Sequence, residues 1–342
     1  MLETRPVGAN KFSFHGRPDQ PVAGSRWDAL AESCILVLGY PRSGTTWLAK
    51  IFDSHPDILY RHEPDELSPA RSDAAPDAQI GTWIRQRGLR SAAKRPTFPK
   101  SWRPAPLDRM RMAFGTALAA CGRFKPAARL TAHVGLPDFI PPNGWSRVRA
   151  AIKLVNWDGT VAARHMPGTR SILILRHPCG QVASVMAGLA SGRFGNRRAD
   201  LNAAQVLAAR RGVKPGAFDS LPDSAKFAWS WLAFNEPAAD GLGRLPNARI
   251  IRYEDLCRDP ERIARDLFAF AGLNWHPQTA AFLEMSTRHG RPSGYFDVLR
   301  TSGIVADRWR HSMGRRDQEA VRAVVCASPL ASWWPDLETP PG

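Results

Sequence analysis

CILVLGYPRSGTTWLAKIFDSH, residues 34–55, decides the fold of this chain. The apolar run at 34–39 predicts a short buried strand, and a helical pattern begins at residue 45, after a glycine-bearing turn. A strand, a turn of this kind and a helix in this order open a doubly wound α/β domain. Further apolar runs predict strands at 58–60, 150–155, 171–175 and 248–253. The sequence therefore predicts a P-loop-containing α/β fold of three layers, with a central parallel sheet flanked by helices.

The turn GYPRSGTTW, residues 39–47, has the makeup of a phosphate-binding loop. Its two glycines are five residues apart and lie between the predicted strand and the predicted helix. Backbone N–H groups around Ser43, Gly44 and Thr45 would point at an anion, helped by the positive end of the helix dipole. A plain strand-to-helix turn is the alternative that two glycines alone leave open.

The loop departs from the nucleoside triphosphatase pattern G-x-x-x-x-G-K-S/T at one position. Thr45 stands where that pattern has lysine, and Thr46 stands at its serine or threonine position. The missing lysine is the group that reaches the β- and γ-phosphates, and the nearest cation here is Arg42, inside the loop. The loop therefore favours a nucleotide with a shorter 5′ anion.

Composition and spacing give the chain its broad class. The chain has 342 residues, a formal net charge of +16 and five cysteines without a C-x-x-C pair. Scattered cysteines indicate reduced thiols, a cytoplasmic location and no zinc site. No apolar run is long enough for an integral membrane segment, and we expect no secretory signal. Arginine supplies most of the positive charge, which suits an acidic ligand.

We predict one decorated domain at 34–342, preceded by an N-terminal extension at 1–33. Residues 66–150 are rich in proline and arginine, and residues 191–223 in glycine and arginine, so we interpret both as lids or insertions on the acceptor side. The second is predicted to be a mobile loop. The aromatic residues of these segments, among them Trp83, Trp102, Phe114 and Phe194, suit an acceptor with a flat or apolar part.

The YPRSGTTW string resembles the sulfotransferases that use 3′-phosphoadenosine 5′-phosphosulfate (PAPS), in which P-K/R-S-G-T-T-W binds the 5′-phosphosulfate. The resemblance implies that this loop binds the cofactor PAPS and that its tryptophan stacks on the adenine. The residues concerned are Arg42, Ser43, Gly44, Thr45, Thr46 and Trp47.

Two further blocks resemble the same family and lie in its order. In SILILRHPCGQVASVM, Arg176 and Ser184 match the pair that holds the 3′-phosphate, and open α/β sheets bind ligands where Arg176 lies, at a strand's carboxyl end. In IIRYEDL, Tyr253 matches an aromatic near the adenine, with a packing role equally open. A looser counterpart of the family's late segment, RTSGIVADRW at 300–309, implies Arg300 as a further 3′-phosphate ligand.

The catalytic base is where the chain departs from part of the family. Sulfotransferases acting on phenols and steroids carry K-T-H after the middle strand, whereas here Lys153 matches the lysine and no histidine follows. Carbohydrate-type and many bacterial members use the glutamate of an E-P pair after the second strand, which implies Glu63 as the base. His62 and His177 are the nearest rivals. We expect His62 to point to the opposite face from Glu63 if the strand continues, and His177 to be structural.

Together these features predict a sulfotransferase that moves a sulfuryl group from PAPS to a hydroxyl-bearing acceptor, a saccharide or glycolipid before other alcohols. Glu63, Arg42 and Lys153 are the predicted catalytic residues. No metal and no nucleic acid are expected, and nothing indicates the oligomeric state. The alternatives are a P-loop nucleotide or small-molecule kinase and a non-catalytic basic protein.

Overall fold

The computed structural model describes residues 26–121, 134–192, 201–288 and 306–338. Five parallel strands form one sheet in the order β2-β3-β1-β4-β5. The strands are β1 (Ile35–Leu38), β2 (Ile58–His62), β3 (Arg149–Lys153), β4 (Arg170–Leu175) and β5 (Ala248–Arg252). The predicted α/β class and the central parallel sheet flanked by helices are confirmed.

Helices follow each strand and cover both faces of the sheet. Within the described residues up to 210, they are α1 (Arg26–Glu32), α2 (Thr45–Asp53), α3 (Pro64–Leu67), α4 (Pro76–Arg85), α5 (Leu89–Ala92), α6 (Ala105–Cys121), α7 (Thr160–His165), α8 (Pro178–Ala190) and α9 (Asn202–Arg210). The others are α10 (Pro215–Asp219), α11 (Asp223–Gly243), α12 (Tyr253–Arg258), α13 (Pro260–Phe270), α14 (Pro277–Arg288), α15 (Trp309–Ser312), α16 (Arg315–Val325), a 3₁₀ helix (Pro329–Trp333) and α17 (Pro335–Glu338).

The sheet is buried on both faces, which explains why its strands are continuous apolar runs rather than alternating ones. Every residue of β1 is buried. One core cluster packs α4, α8, α11 and α16 against one face, and the other packs α2, α13 and α14 against the opposite face. With five strands running the same way, the loops that follow them meet at one edge of the sheet, the carboxyl edge.

Helix boundaries follow local chemistry where the sequence signals are strong. Asp259 caps α13 by accepting the N–H of Arg262 at 3.2 Å, and Pro260 fills the first position of the helix. Gly272, at φ +67°, ends the helix in the left-handed conformation that glycine tolerates best. The predicted stop at Gly272 is confirmed.

The prediction of a mobile loop at 191–223 was wrong for much of its length. Residues 202–210 and 215–219 form α9 and α10, and Ala204 and Ala208 are buried against α11. Small alanine side chains let the two helices approach, so packing rather than glycine content decides this segment. The predicted boundaries of the extension and of the insertions remain predictions, although α1, at the end of 1–33, buries Leu30 and Ala31 in the core.

Candidate active site

Two glycines of the loop 39–47 occupy positions that a larger side chain could not share. A Cβ atom on Gly39 would lie 2.8 Å from the carbonyl oxygen of Ile174, and one on Gly44 would overlap the ring of Tyr253. Gly44 also has φ +93°, a left-handed conformation that glycine adopts without strain. The loop is therefore packed directly against β4 and against the start of α12.

Polar groups of the loop lack partners where an anion would be expected. The N–H groups of Thr45 and Thr46 begin α2, and the first N–H groups of a helix have no intrahelical acceptor. The hydroxyl of Ser43 is fully buried and has no hydrogen-bond partner among the described residues. The N–H of Ser43, in contrast, donates to the carbonyl of Tyr40 at 3.1 Å. Among the backbone N–H groups predicted to bind the anion, the N–H of Ser43 is therefore already hydrogen-bonded within the loop.

Residues from the first and second sequence blocks meet beside this loop. The Nε of Arg42 donates to the hydroxyl of Ser184 at 3.2 Å, and a terminal nitrogen of Arg176 donates to the carbonyl of Arg42 at 3.1 Å. The Nε of Arg176 is buried and has no partner among the described residues. Two guanidinium groups, a hydroxyl and a helix N-terminus therefore surround one corner of the carboxyl edge, a donor set that suits phosphate or sulfate.

The aromatic residues of the first and third blocks also lie here. The guanidinium of Arg176 lies 4.7 Å above the ring of Tyr253, and the rings of Trp47 and Tyr253 are 6.5 Å apart, edge to face. Trp47 is buried, and its Nε1 donates to Ser286 at 3.2 Å. In this structure Trp47 and Tyr253 pack against each other and support the loop. Arg300 lies outside the described residues.

The predicted base and the predicted lysine form a contact pair. β2 and β3 are neighbours, with His62 opposite Lys153, and the N–H of Glu63 donates to the carbonyl of Lys153 at 2.9 Å. The ammonium of Lys153 donates to Oε1 of Glu63. Burial lowers the pKa of Lys153, while Glu63 and then Asp65 oppose that change by favouring the charged form. The Glu63 side chain is 19% exposed and that of Lys153 only 2%, so the pair opens to solvent on the carboxylate side.

The expected placement of His62 on the opposite face from Glu63 required a strand that continues through Glu63, and that condition is not met. The strand ends at His62, and Glu63 adopts a left-handed conformation with φ 46° and ψ 48°, so the alternation of side chains does not continue. The Nε2 of His62 therefore lies 3.6 Å from Oε2 of Glu63. On its other side the Nδ1 of His62 lies 2.7 Å from the hydroxyl of Tyr60. Because burial raises the pKa of Tyr60 well above its usual value, this phenol is protonated and can donate to the imidazole.

Asp65 is a site residue that the sequence reasoning missed. Its carboxylate accepts the N–H groups of Val155 at 3.0 Å and Asn156 at 2.7 Å, which fixes the chain just after β3. Burial raises its pKa, with the two backbone hydrogen bonds opposing the change. The signal available was a second carboxylate two residues after Glu63 and directly after the proline that starts α3.

His177 has the structural role expected of it. Its Nδ1 accepts the N–H of Cys179 at 3.2 Å and so caps α8, while its ring stacks on Trp309 at 4.3 Å. Its backbone N–H donates to Glu254 at 2.9 Å, a residue of the third block. His177 thus joins the β4 loop to the α12 region rather than reaching the Glu63 side of the edge.

A family model described as "Sulfotransferase family" matches residues 34–218, more than half of the 342-residue chain. The chain belongs to the sulfotransferase family. The match begins at the strand that leads into the loop 39–47 and includes Glu63, Lys153, Arg176 and Ser184. It gives no support to the kinase alternative.

Curated relatives match over shorter stretches. Carbohydrate sulfotransferase 5 of Mus musculus is 35% identical over 69 residues, 19% of this chain and 18% of its own length. Carbohydrate sulfotransferase 6 of Homo sapiens is 34% identical over 90 residues, 24% of this chain and 22% of its own length. This chain thus spans about a fifth of the length of these relatives.

Among solved structures, a mouse sulfotransferase complexed with PAP is 16% identical, with a TM-score of 0.41, over 90% of this chain and 89% of its own. The sulfotransferase domain from the curacin biosynthetic pathway is 14% identical, with a TM-score of 0.41, over 84% of this chain and 95% of its own. Within the described residues, no helix is long and apolar enough to cross a membrane.

Proposed function

We propose that this chain transfers a sulfuryl group from PAPS to the hydroxyl of an acceptor. One observation carries the proposal: at a single edge of the sheet, the arginines and the hydroxyl of two separate sequence blocks lie beside the glycine loop, and a carboxylate lies beside a buried lysine. The groups involved are Arg42, Arg176, Ser184, Glu63 and Lys153. Membership of the sulfotransferase family supports the same reading.

The residues after β1 and β4 fit the donor. We assign the 3′-phosphate to Arg176 and Ser184, and the 5′-phosphosulfate to the loop 39–47. The unpartnered Ser43 hydroxyl and Arg176 Nε would gain hydrogen bonds from such a ligand, which removes the cost of burying them unpaired. PAPS, when bound, supplies the activated sulfuryl group. This chain's own contribution is to fix the donor's two anionic ends and to surround them with cations.

The residues after β2 and β3 are suited to accept the proton of the acceptor hydroxyl. In the proposed reaction the acceptor oxygen bonds to sulfur, the bond from sulfur to the phosphate oxygen breaks, and adenosine 3′,5′-bisphosphate leaves. Glu63 takes the hydroxyl proton as general base, and Lys153 keeps that carboxylate ionised and adds positive charge near the transferred group. His62, held by Tyr60, contacts the second carboxylate oxygen and orients it.

We propose a saccharide or glycolipid hydroxyl as the acceptor. The support comes from the Glu63-Pro64 pair and from the carbohydrate sulfotransferases among the relatives. The predicted contribution of Trp83 and Trp102 to an acceptor surface was wrong, because both indoles are buried in the core. Phe114 on α6 is 43% exposed and stays a candidate contact, while Phe194 lies outside the described residues.

We propose a reducing compartment, the cytoplasm, as the site of action. All five cysteines are free thiols. Three of them, Cys34, Cys179 and Cys257, are buried, and burial raises the pKa of each to about 12. Thiols of this kind are inert packing groups that need no disulfide.

An acceptor screen with labelled PAPS, followed by mass spectrometry, tests the proposed function. The panel contains neutral saccharides, glycolipids, phenols and simple alcohols. We expect a mass gain of one sulfuryl group on a saccharide or glycolipid, together with stoichiometric adenosine 3′,5′-bisphosphate. Sulfation of phenols alone would remove the acceptor assignment, and absence of transfer to every class would remove the enzymatic proposal.

A further inference from the structure

A second cationic site lies along the free edge of β2, the outer strand of the sheet. It is a cavity with a volume of about 60 Å³. Its wall is formed by residues 58–61 of β2 and by residues between positions 92 and 112. Its lining includes no residue of the loop 39–47, so the cavity is distinct from the proposed donor site.

The cavity lining carries more positive than negative side chains. Its cations are Arg61, Lys94, Lys100, Arg103 and Arg111. Its carboxylates are Asp53, Asp108 and Asp138. This leaves a surplus of two positive charges. All of the cations except Lys94, which is half-buried, are shielded from solvent, where unbalanced charge is costly.

Ion pairing locates the surplus on two particular residues. Each carboxylate is already used: Asp138 by Arg61 at 2.7 Å, Asp53 by Lys100 at 2.9 Å and Asp108 by Arg103 at 2.5 Å. Asp53 is further shared with Lys50, at 2.6 Å. Within the described part of the chain, Arg111 and Lys94 have no carboxylate within 4.0 Å. They are the two cations of the lining that form no ion pair there, although Asp138 and Asp53 act on Arg111 from a longer distance.

Arg111 is held in place by neutral groups. Its Nε donates to the carbonyl of Pro137 at 3.1 Å and one terminal nitrogen donates to that of Ala92 at 2.9 Å. Burial, and next the charge of Arg103, lower the pKa of this guanidinium to about 10. The charges of Asp138 and Asp53 oppose this change, and a further anion nearby would add to that opposition. The backbone carbonyls therefore orient the side chain without neutralising it.

Lys94 lies on the side of the cavity toward the active site. Its positive charge helps to lower the pKa of Lys50. It also helps to lower the pKa of Lys153, where burial and the charge of Glu63 have larger effects. Tyr60, which lines the cavity, bonds through its hydroxyl to His62 and so to the Glu63 region. An anion in the cavity would thus be within electrostatic reach of the catalytic pair.

We propose that this cavity binds a divalent tetrahedral oxyanion, sulfate or phosphate, between Arg111 and Lys94. The surplus of positive charge suits a dianion, and the cavity, with room for roughly four waters, accommodates four oxygens around one centre. Guanidinium groups favour such oxyanions through paired N–H donors. The ion is either free in solution or the phosphate monoester of a larger molecule, which is also largely dianionic at neutral pH.

Calorimetric titration with sodium sulfate at constant ionic strength tests the site. Adenosine 3′,5′-bisphosphate is titrated first. If this nucleotide does not bind, the failure of the proposed donor site is recorded separately from the sulfate result. If it binds, it fills the loop 39–47 before sulfate is added. We then expect one sulfate per chain beyond the nucleotide. Lys94→Gln should weaken the binding of that sulfate by about tenfold or more. Lys214→Gln, which neutralises an exposed lysine far along the chain, is the matched control and should leave it unchanged.

Thermal unfolding supplies a second readout that does not depend on the nucleotide. Sulfate should raise the unfolding temperature of the parent chain and of Lys214→Gln more than that of Lys94→Gln, since a ligand stabilises the state that binds it. Competition by glucose 6-phosphate, with glucose as its control, would extend the site to dianionic monoesters, and its absence would restrict the site to free ions. Equal sulfate binding by Lys94→Gln and Lys214→Gln, or no sulfate bound by the parent chain, would overturn the proposal.

Discussion

The two halves of the carboxyl edge differ in how far their polar groups are already paired. On the donor half, after β1 and β4, Ser43 Oγ and Arg176 Nε are buried without hydrogen-bond partners among the described residues. On the base half, after β2 and β3, Lys153 donates to Glu63 and Oδ2 of Asp65 accepts two backbone N–H groups, so that among the described residues Oδ1 of Asp65 is the atom of these three side chains that is buried without a hydrogen-bond partner. We infer that the donor half is arranged for an anion that arrives, whereas the base half is arranged to hold one carboxylate in a fixed charge state.

Removing the carboxylate should separate the two halves most sharply. Glu63→Gln keeps the shape of the side chain but removes its basicity, so we expect kcat to fall by ~10²–10⁴-fold. Binding of PAPS should barely change, because Glu63 belongs to the base half. Steady-state kinetics and calorimetry measure the two quantities. Glu261→Gln, at an exposed glutamate on α13, is the control. Near-normal turnover by Glu63→Gln together with loss of activity in His62→Ala would transfer the base role to His62.

Breaking the pair from the lysine side should cost both activity and stability. Lys153→Met leaves a partly buried carboxylate without its cation, a change that costs ~3–5 kcal/mol when a buried ion pair loses one partner. Without the cation the carboxylate takes up a proton more readily, so the acid limb of the kcat profile should move to higher pH. Denaturant unfolding and a pH–rate profile check the two effects. An unmoved acid limb would mean that Lys153 does not set the charge of Glu63.

On the donor half, Arg176→Ala should discriminate between nucleotides. A charge-assisted contact is worth ~1.5–3 kcal/mol, so affinity for PAPS and for adenosine 3′,5′-bisphosphate should fall by roughly 10- to 150-fold. Binding of adenosine 5′-phosphosulfate, which has no 3′-phosphate, should stay nearly unchanged. Arg244→Ala, at an exposed arginine on the surface, is the control. Equal weakening of all three ligands would remove the 3′-phosphate assignment.

The smallest expected effect concerns the group that holds His62. Tyr60→Phe removes the hydroxyl that lies 2.7 Å from Nδ1 of His62 and leaves the ring in place. We expect kcat to fall by a few-fold, with KM for PAPS unchanged, because His62 then orients Glu63 less firmly. Stopped assays at saturating acceptor measure this change. An effect as large as that of Glu63→Gln would show that Tyr60 itself takes part in proton transfer.

The contacts within the proposed donor half could be predicted from sequence because their signals are local. The strand, the loop 39–47 and the start of α2 are consecutive, and the glycine positions are required by direct packing against Ile174 and Tyr253. Arg176 follows β4 in the same way that the loop follows β1, so parallel strand order brings the two together. In this half, the contacts in the fold involve the same residues that the sequence pattern indicates.

Within the proposed base half, the position of His62 resisted prediction because one backbone angle decides it. Glu63 is neither glycine nor asparagine, the residues that mark a left-handed turn, yet its φ is 46°. That turn puts His62 beside Glu63 instead of on the opposite face. Asp65 escaped notice because its partners, the N–H groups of Val155 and Asn156, are 90 residues away or more in sequence. The helices within 191–223 were missed because burial against α11, a tertiary effect, outweighs local composition.

Calorimetric titration of the parent chain with PAPS and with Mg·ATP tests the central claim most directly. The claim is that the donor half holds a nucleotide with a short 5′ anion and a 3′-phosphate. It predicts tight binding of PAPS without added metal and little or no binding of Mg·ATP, because Thr45 stands where a lysine would reach the outer phosphates. Tight binding of Mg·ATP with no binding of PAPS would contradict the claim.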